Sequence, residues 1–231
     1  LWPLLDLREL FKLNWGVRAT DGKDYDTLIS EEFLPLLSDL QAQIETENWL
    51  HPRVVYGYFP CQSENENLFI YDPDDTSKVL QQLVFPRQRD KDHLALPDYW
   101  RSKASGDMDV IVFQVVTVGD EVNAVTEAMN ARGEYSQALY LHGVAVQTAE
   151  ALAEHNHQRI RRELGIDRNC GQRYSYGYPA CPDMEEQVKL FALLDPERTI
   201  GVTQTEAYQM IPEASTAALI GHHPAMKYFN V

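Results

Sequence analysis

The chain has 231 residues, 44% of them hydrophobic and 24% charged, which is the make-up of an ordinary globular protein able to bury a core without staples. Its 35 acids against 20 bases leave a net charge of −15, a field that repels nucleic acid and anionic membranes and favours cationic ligands or partners with basic patches. The three cysteines, Cys61, Cys170 and Cys181, lack metal-site spacing and are too few and too scattered for a disulfide framework, so they point to a reducing, cytoplasmic setting.

Residues Leu1 to Asp6 include neither an initiator Met nor the basic stretch of a signal peptide, so the chain reads as a piece of something longer. Residues 6–13 are expected to form a short helix. Residues 27–47 should form a longer one, with Leu28, Phe33, Leu36, Leu37, Leu40 and Ile44 at helical spacing and Pro35 kinking or delaying its first turns. The runs 54–59 and 68–71 are β-branched and aromatic, and the polar turn between them marks a hairpin. Val79 to Phe85 gives a third strand, and 86–106 is polar and irregular. Val110 to Val118 suits a central strand buried on both faces. Residues 120–164 are helical in two pieces broken near Gly133. The second piece, from Tyr135 to Leu164, buries Ala138, Leu141, Val144, Ala145, Thr148, Ala149, Leu152, His155 and Ile160, and Gly165 ends it. A short helix at 185–194 stops at Asp195-Pro196. Val202 to Met210, Ser215 to His222 and Lys227 to Val231 read as closing strands. No apolar run is long enough to span a bilayer, and there is no βαβ rhythm and no phosphate-binding glycine loop. The pattern predicts one α+β domain over residues 1–231, with a largely antiparallel sheet and long flanking helices.

The most unusual segment is Arg173-Tyr174-Ser175-Tyr176-Gly177-Tyr178-Pro179-Ala180-Cys181-Pro182. Its two prolines forbid a helix, and Gly177 permits a positive φ or close approach of another molecule. The result is a stiff loop with aromatic walls and one cation. Three acids stand out beside it. Asp6 opens a helix, Glu150 lies among alanines in the long helix, and Asp167 falls six residues before Arg173. Glu150 is either solvated or paired with a cation, and Asp6 is either a dipole partner or a ligand contact. The histidines at 155/157 and 222/223 are spaced wrongly for two imidazoles on one helical face, so no metal site is expected. Cys181 could be an activated thiol, though no Cys-His-Asn pattern accompanies it.

The Gly177-Tyr178-Pro179-Ala180-Cys181-Pro182 run, with Arg173 and the helix before it, resembles the signature of the C-terminal activation domain of cobalamin-dependent methionine synthase. Other segments are similar to that family too: Leu5-Asp6, the Pro52 to Pro60 strand, Arg87-Gln88, Leu96-Pro97-Asp98-Tyr99, His157 to Arg161, His223-Pro224 and Tyr228-Phe229. The resemblance implies a C-shaped α+β domain around a twisted antiparallel sheet. It implies that the domain binds S-adenosylmethionine and supplies its methyl for reductive reactivation of cob(II)alamin. The cobalamin would sit on a neighbouring domain, with an electron from a flavodoxin-like or other flavoprotein reductase.

By the same resemblance, Asp6 would take the ligand ammonium, and Arg173 would take its carboxylate as a planar fork. Glu150 and Asp167 would serve the ribose and sulfonium, and main-chain groups at Ser175 and Gly177 would read the adenine. Tyr178 would stand near the methyl and the corrin, with Tyr228 and Phe229 walling the nucleoside. Ser175-Tyr176 departs from the family's usual Ala-Pro, and Met184 replaces a histidine found in some members. The contrasting expectation is a ligand-free acidic module that recruits a reductase.

Overall fold

The computed structural model describes residues 1–19, 24–90 and 92–231. The Asp6 carboxylate accepts the Glu9 N–H at 2.9 Å and so caps helix α1 (Leu7–Glu9), which runs on into a π turn over Leu10–Asn14. The longer N-terminal helix begins as α2 (Tyr25–Leu28), widens into a π turn over Ile29–Phe33 and continues as α3 (Leu34–Glu47). Pro35 sits in the first turn of α3, where it has no N–H to give, so the expected adjustment takes the form of a widened turn just before it.

The sheet follows. Strands β1 (Arg53–Glu64), β2 (Asn67–Tyr71) and β3 (Val79–Val84) form a meander. After a stretch holding two 3₁₀ turns comes β4 (Asp109–Thr117), then helices α4 (Glu121–Ala131) and α5 (Tyr135–Glu163). Strand β5 (Gln172–Ser175) leads into helices α6 (Gln187–Leu194) and α7 (Pro196–Ile200). The two-residue strands β6 (Thr203–Gln204) and β7 (Met210–Ile211) pair with each other, and β8 (Ser215–Gly221) closes the main sheet. That sheet has six strands in the order β3-β2-β1-β4-β8-β5, and every ladder in it is antiparallel. The expected α+β class therefore holds.

One face of the sheet carries Phe59, Ile111, Phe113 and Leu219 into a core completed by Tyr174, Tyr176 and Leu190. The other face is crossed by α5, whose Leu152, Ala153 and Ile160 pack on Val112, Val116 and Ile220. Between α5 and β4 the buried Gln114 amide donates to the Ala153 carbonyl at 3.3 Å and accepts from Asn156 at 2.8 Å, which fixes the helix lengthwise on the sheet. The first half of α5 instead packs against the N-terminal helices around Leu10, Phe11, Trp15 and Leu37. Gly143 permits this close approach, because a Cβ there would fall 2.8 Å from the Trp15 ring.

Three expectations are corrected. Lys227–Val231 forms no strand and runs as coil along β5, held by side-chain hydroxyls in place of a backbone ladder. Val202–Met210 is not one strand. It breaks at the turn from Thr205 to Tyr208, where Tyr208 takes a φ of 62°. His155 is exposed, and the buried positions on that stretch of α5 are Asn156 and His157. No described helix is long and apolar enough to cross a membrane.

Candidate functional site

A cleft of about 670 Å³ opens where the N-terminal segment, the middle of α5, the end of β5 and the C-terminal coil meet. Of the residues singled out from sequence, Asp6, Glu150, Arg173, Ser175, Tyr178, Tyr228 and Phe229 all line it. They come from four separate stretches of chain, and specific contacts draw those stretches together. The Trp15 indole N–H donates to the Tyr140 carbonyl at 3.0 Å, and Gln147 donates to the Asn14 side chain at 3.0 Å, so the segment carrying Asp6 is clamped to α5. The Tyr174 hydroxyl donates to the Lys227 carbonyl at 2.9 Å and the Tyr228 hydroxyl to the Arg173 carbonyl at 3.0 Å. The two rings meet edge-on at 5.5 Å, fixing the C-terminal coil as one wall.

Arg173 is the centre of the site. Its Nη2 donates to Glu150 Oε2 at 3.1 Å, so Glu150 has a cationic partner while its side chain stays 41% exposed. Its side chain is only 18% exposed, and Nη1 is buried with no partner. A buried, unpaired guanidinium N–H costs on the order of 1–3 kcal/mol, so Nη1 holds bonding capacity that the described residues leave unused.

The signature loop is shaped by its own hydrogen bonds. The Gly177 N–H donates to the Cys181 carbonyl and the Cys181 N–H to the Tyr178 carbonyl, each at 2.8 Å. Gly177 has a φ of 83°, and a Cβ there would meet the Met184 sulfur at 2.6 Å, so glycine is needed for the turn and for packing. Gly177 does not line the cleft, and its N–H is already committed. The turn buries Tyr176 and thrusts out Tyr178, which is 65% exposed at the cleft rim.

Asp167 lies outside the cleft. It is exposed, in a turn, and its carboxylate accepts the Asn169 N–H at 2.8 Å. Two acids not singled out from sequence do line the cleft, Glu9 and Glu154. Their spacing was the available signal: Glu154 is one helical turn beyond Glu150, and Glu9 one turn beyond Asp6. His157 acts against the opposing effect of burial, with help from Gln158 and Arg173, to hold the Glu154 carboxyl down to about 2. Burial in turn pushes the His157 imidazole below its ordinary value. Among the described residues, Asp6, Glu9, Glu150 and Glu154 thus share the cleft lining with one arginine.

Cys181 does not fit the reading as an activated nucleophile. It is 2% exposed, and burial, with Glu186 and Asp183 nearby, pushes its thiol well up from the ordinary value.

The family model for the vitamin B12 dependent methionine synthase activation domain matches residues 9–231. The chain belongs to that family. It is 40% identical over 256 residues to methionine synthase of Mycobacterium tuberculosis (strain ATCC 25618 / H37Rv), covering 99% of this chain and 21% of the relative. It is 37% identical over 255 residues to methionine synthase of Mycobacterium leprae (strain TN), covering 98% of this chain and 21% of that one. The chain therefore spans about a fifth of the length of these curated relatives. Among solved structures it is similar to the MetH reactivation domain bound to AdoHcy, with a TM-score of 0.86 and 27% identity over 98% of this chain and 76% of the other.

Proposed function

We propose that this activation domain is one part of a larger methionine synthase, binds S-adenosylmethionine in the cleft, and presents the ligand's methyl group for reductive reactivation of the enzyme's cobalamin. The observation that carries the reading is Arg173, whose buried Nη1 has no partner among the described residues, on the wall of a cleft that also carries four carboxylates. An amino acid attached to a sulfonium-bearing nucleoside matches it, with one carboxylate for the arginine and two cationic centres for the acids. The AdoHcy held by the similar reactivation domain has the same amino-acid and adenosine ends.

In this reading Arg173 offers Nη1 to the ligand carboxylate while Nη2 stays on Glu150. Asp6 keeps one oxygen on the Glu9 N–H and turns the other to the ammonium. Glu150 serves the ribose hydroxyls or the sulfonium. The Ser175 main chain reads the adenine edge, and Gly177, whose N–H is spent within the loop and which lies off the cleft, shapes the turn that follows it. Tyr228 and Phe229 wall the nucleoside. Asp167, on its exposed turn, adds only distant negative potential. Tyr178 at the rim stands between the methyl and whatever docks over the cleft. Cobalamin, carried by a neighbouring domain, supplies the metal that accepts the methyl. The work of this chain is to hold the donor in line, and no general acid or base is required for transfer from a sulfonium. The electron donor in this reading is a flavoprotein reductase that acts on the assembled enzyme in the cytoplasm. A ligand-free docking module would leave the orphaned Arg173 nitrogen without purpose.

Thermal unfolding of this chain with increasing S-adenosylmethionine tests the reading. A ligand at a hundred times its Kd adds about 2.7 kcal/mol to native stability, so the melting temperature should climb by several degrees. An unmoved melting curve at millimolar ligand refutes it.

A further inference from the structure

We propose that Glu154 makes the cleft charge-selective, favouring the sulfonium donor over the neutral thioether that remains after the methyl has left. This rests on the S-adenosylmethionine reading above and assigns a role to a residue outside the set that would hold the ligand's amino-acid and adenosine groups.

Glu150 and Glu154 lie one turn apart on the same face of α5, and both reach the cleft. Like charges at this spacing destabilise a helix, so each needs compensation. Glu150 finds it in Arg173 at 3.1 Å. Glu154 finds it in Arg161 Nη1 at 3.4 Å, but that guanidinium is anchored on the far side, with Nε on the Cys170 carbonyl at 3.0 Å and Nη2 on the Gly171 carbonyl at 3.4 Å. The nearest other groups on Glu154 are the Gln158 amide at 3.3 Å and the His157 ring at 3.7 Å. That ring is buried, and burial pushes it below its ordinary value and so weakens it as a cationic partner. Glu154 also stays ionised through the whole physiological range.

Ligand binding changes the balance of charge. Once a ligand carboxylate shares Arg173 with Glu150, one cation serves two anions. Asp6 is matched by the ligand ammonium. The acids left without a cationic counterpart inside the cleft are Glu9, which is exposed on the N-terminal helix, and Glu154, which is the more enclosed, and the sulfonium supplies the counterpart of Glu154. The product has the same carboxylate, ammonium and adenosine but no charge on sulfur, so it gains nothing from Glu154. For a carboxylate that is 38% exposed, solvent screening reduces the effect to about a fivefold difference in affinity.

Calorimetric titration of the wild-type chain, Glu154→Gln and Glu154→Asp with S-adenosylmethionine and S-adenosylhomocysteine tests the proposal. Glu154→Gln should lose about fivefold in affinity for the sulfonium ligand and hold its affinity for the thioether within a factor of about two. Glu154→Asp, which keeps the charge, should retain the preference. A purely structural role weakens both ligands by one common factor, and that result overturns the proposal. If Glu154→Gln fails to fold, the salt response of the wild type decides. Rising salt should weaken the sulfonium ligand more than the thioether, and an equal response refutes the role of charge. A wild-type chain that binds neither ligand sinks the underlying reading as well, which separates the two failures.

Discussion

Two arginines in this molecule meet carboxylates in opposite ways. Arg87 spends its whole fork: Nε on Glu66 at 2.5 Å, Nη1 on Asp98 at 2.7 Å and on the His93 carbonyl at 2.7 Å, and Nη2 on Asp98 at 2.8 Å. Asp98 also accepts the Ala95 N–H at 2.9 Å, so the cluster locks the 3₁₀ turn Leu96–Tyr99 beneath the sheet. Its hydrogen bonds to Asp98 first and then to Glu66 raise the Arg87 guanidinium further above its ordinary value. Arg173 is the more buried of the two, 18% exposed against 33%, yet it holds one carboxylate through one nitrogen and leaves another nitrogen bare. If arginines only held the fold, the buried one would be the better satisfied, because unpaired donors cost most where water is absent. The inversion sets Arg87 apart as a satisfied structural joint and is what supports the proposed ligand role of Arg173.

Exchanging each arginine for alanine would break or sharpen that contrast. Arg173→Ala should reduce S-adenosylmethionine affinity by about a hundredfold or more, the scale expected when one partner of a buried charged hydrogen bond is removed. Its melting temperature should stay close to wild type, since an orphaned donor leaves together with one ion pair. A calorimetric Kd within about fivefold of wild type would remove Arg173 from the binding role. Arg87→Ala should do the reverse. Its partners Asp98 and Glu66 are 34% and 41% exposed, so the loss is on the order of 1–2 kcal/mol, a fall of about 2–8 °C in melting temperature, with ligand affinity preserved. A binding defect without destabilisation in Arg87→Ala would erase the distinction.

How far the sequence disclosed this arrangement depended on whether local pattern or distant contact decided each element. The apolar run 110–118 matches β4 within one residue at each end, because burial on both faces leaves a continuous signature. The long helix emerged for the same kind of reason, since its stripe repeats over 29 residues. Tyr228 and Phe229 read as a strand because aromatic residues favour pleated surfaces, but this segment is held by the hydroxyls of Tyr174 and Tyr228, which no periodicity encodes. The break near Tyr208 was hidden because it occurs without glycine or proline. In the cleft, Arg173 and Glu150 were found as an unusual cation and an unusual acid, and their pairing at 3.1 Å follows only from the placement of β5 beside α5. Glu154 escaped notice because alternating glutamates on a helix ordinarily mean a solvated face. Gly177 was read as permitting either a positive φ or a close approach, and the first is what the fold uses: its φ of 83° serves the turn and the packing of Met184, away from the cleft lining.

A second satisfied joint gives the smallest effect and tests the comparison from the acid side. Asp109 is buried at the start of β4, its side chain 9% exposed, and its oxygens accept from His222 at 2.7 Å, the Arg101 N–H at 2.9 Å and the Val110 N–H at 2.8 Å. Burial works to raise the Asp109 carboxyl, but the His222 bond and the two backbone N–H groups together bring it below its ordinary value. The hydrogen bond to Asp109 raises the His222 imidazole above its ordinary 6.5. A raised imidazole stabilises the fold fully below its unfolded value, and that stabilisation fades as pH climbs through the folded value. A lowered carboxyl stabilises the fold above its unfolded value, and that part fades as pH falls through the folded one. The joint is therefore strongest in mildly acidic solution and loosens on the alkaline side of 6.5. Comparing wild type with His222→Gln across that range cancels the other titrating groups. The wild type should lose on the order of 1 kcal/mol relative to the variant between mildly acidic and mildly alkaline pH, about 2–4 °C in melting temperature. Parallel melting curves for the two proteins would mean that the Asp109 carboxylate is fully served by its backbone donors, with the imidazole a bystander at the end of two interior strands.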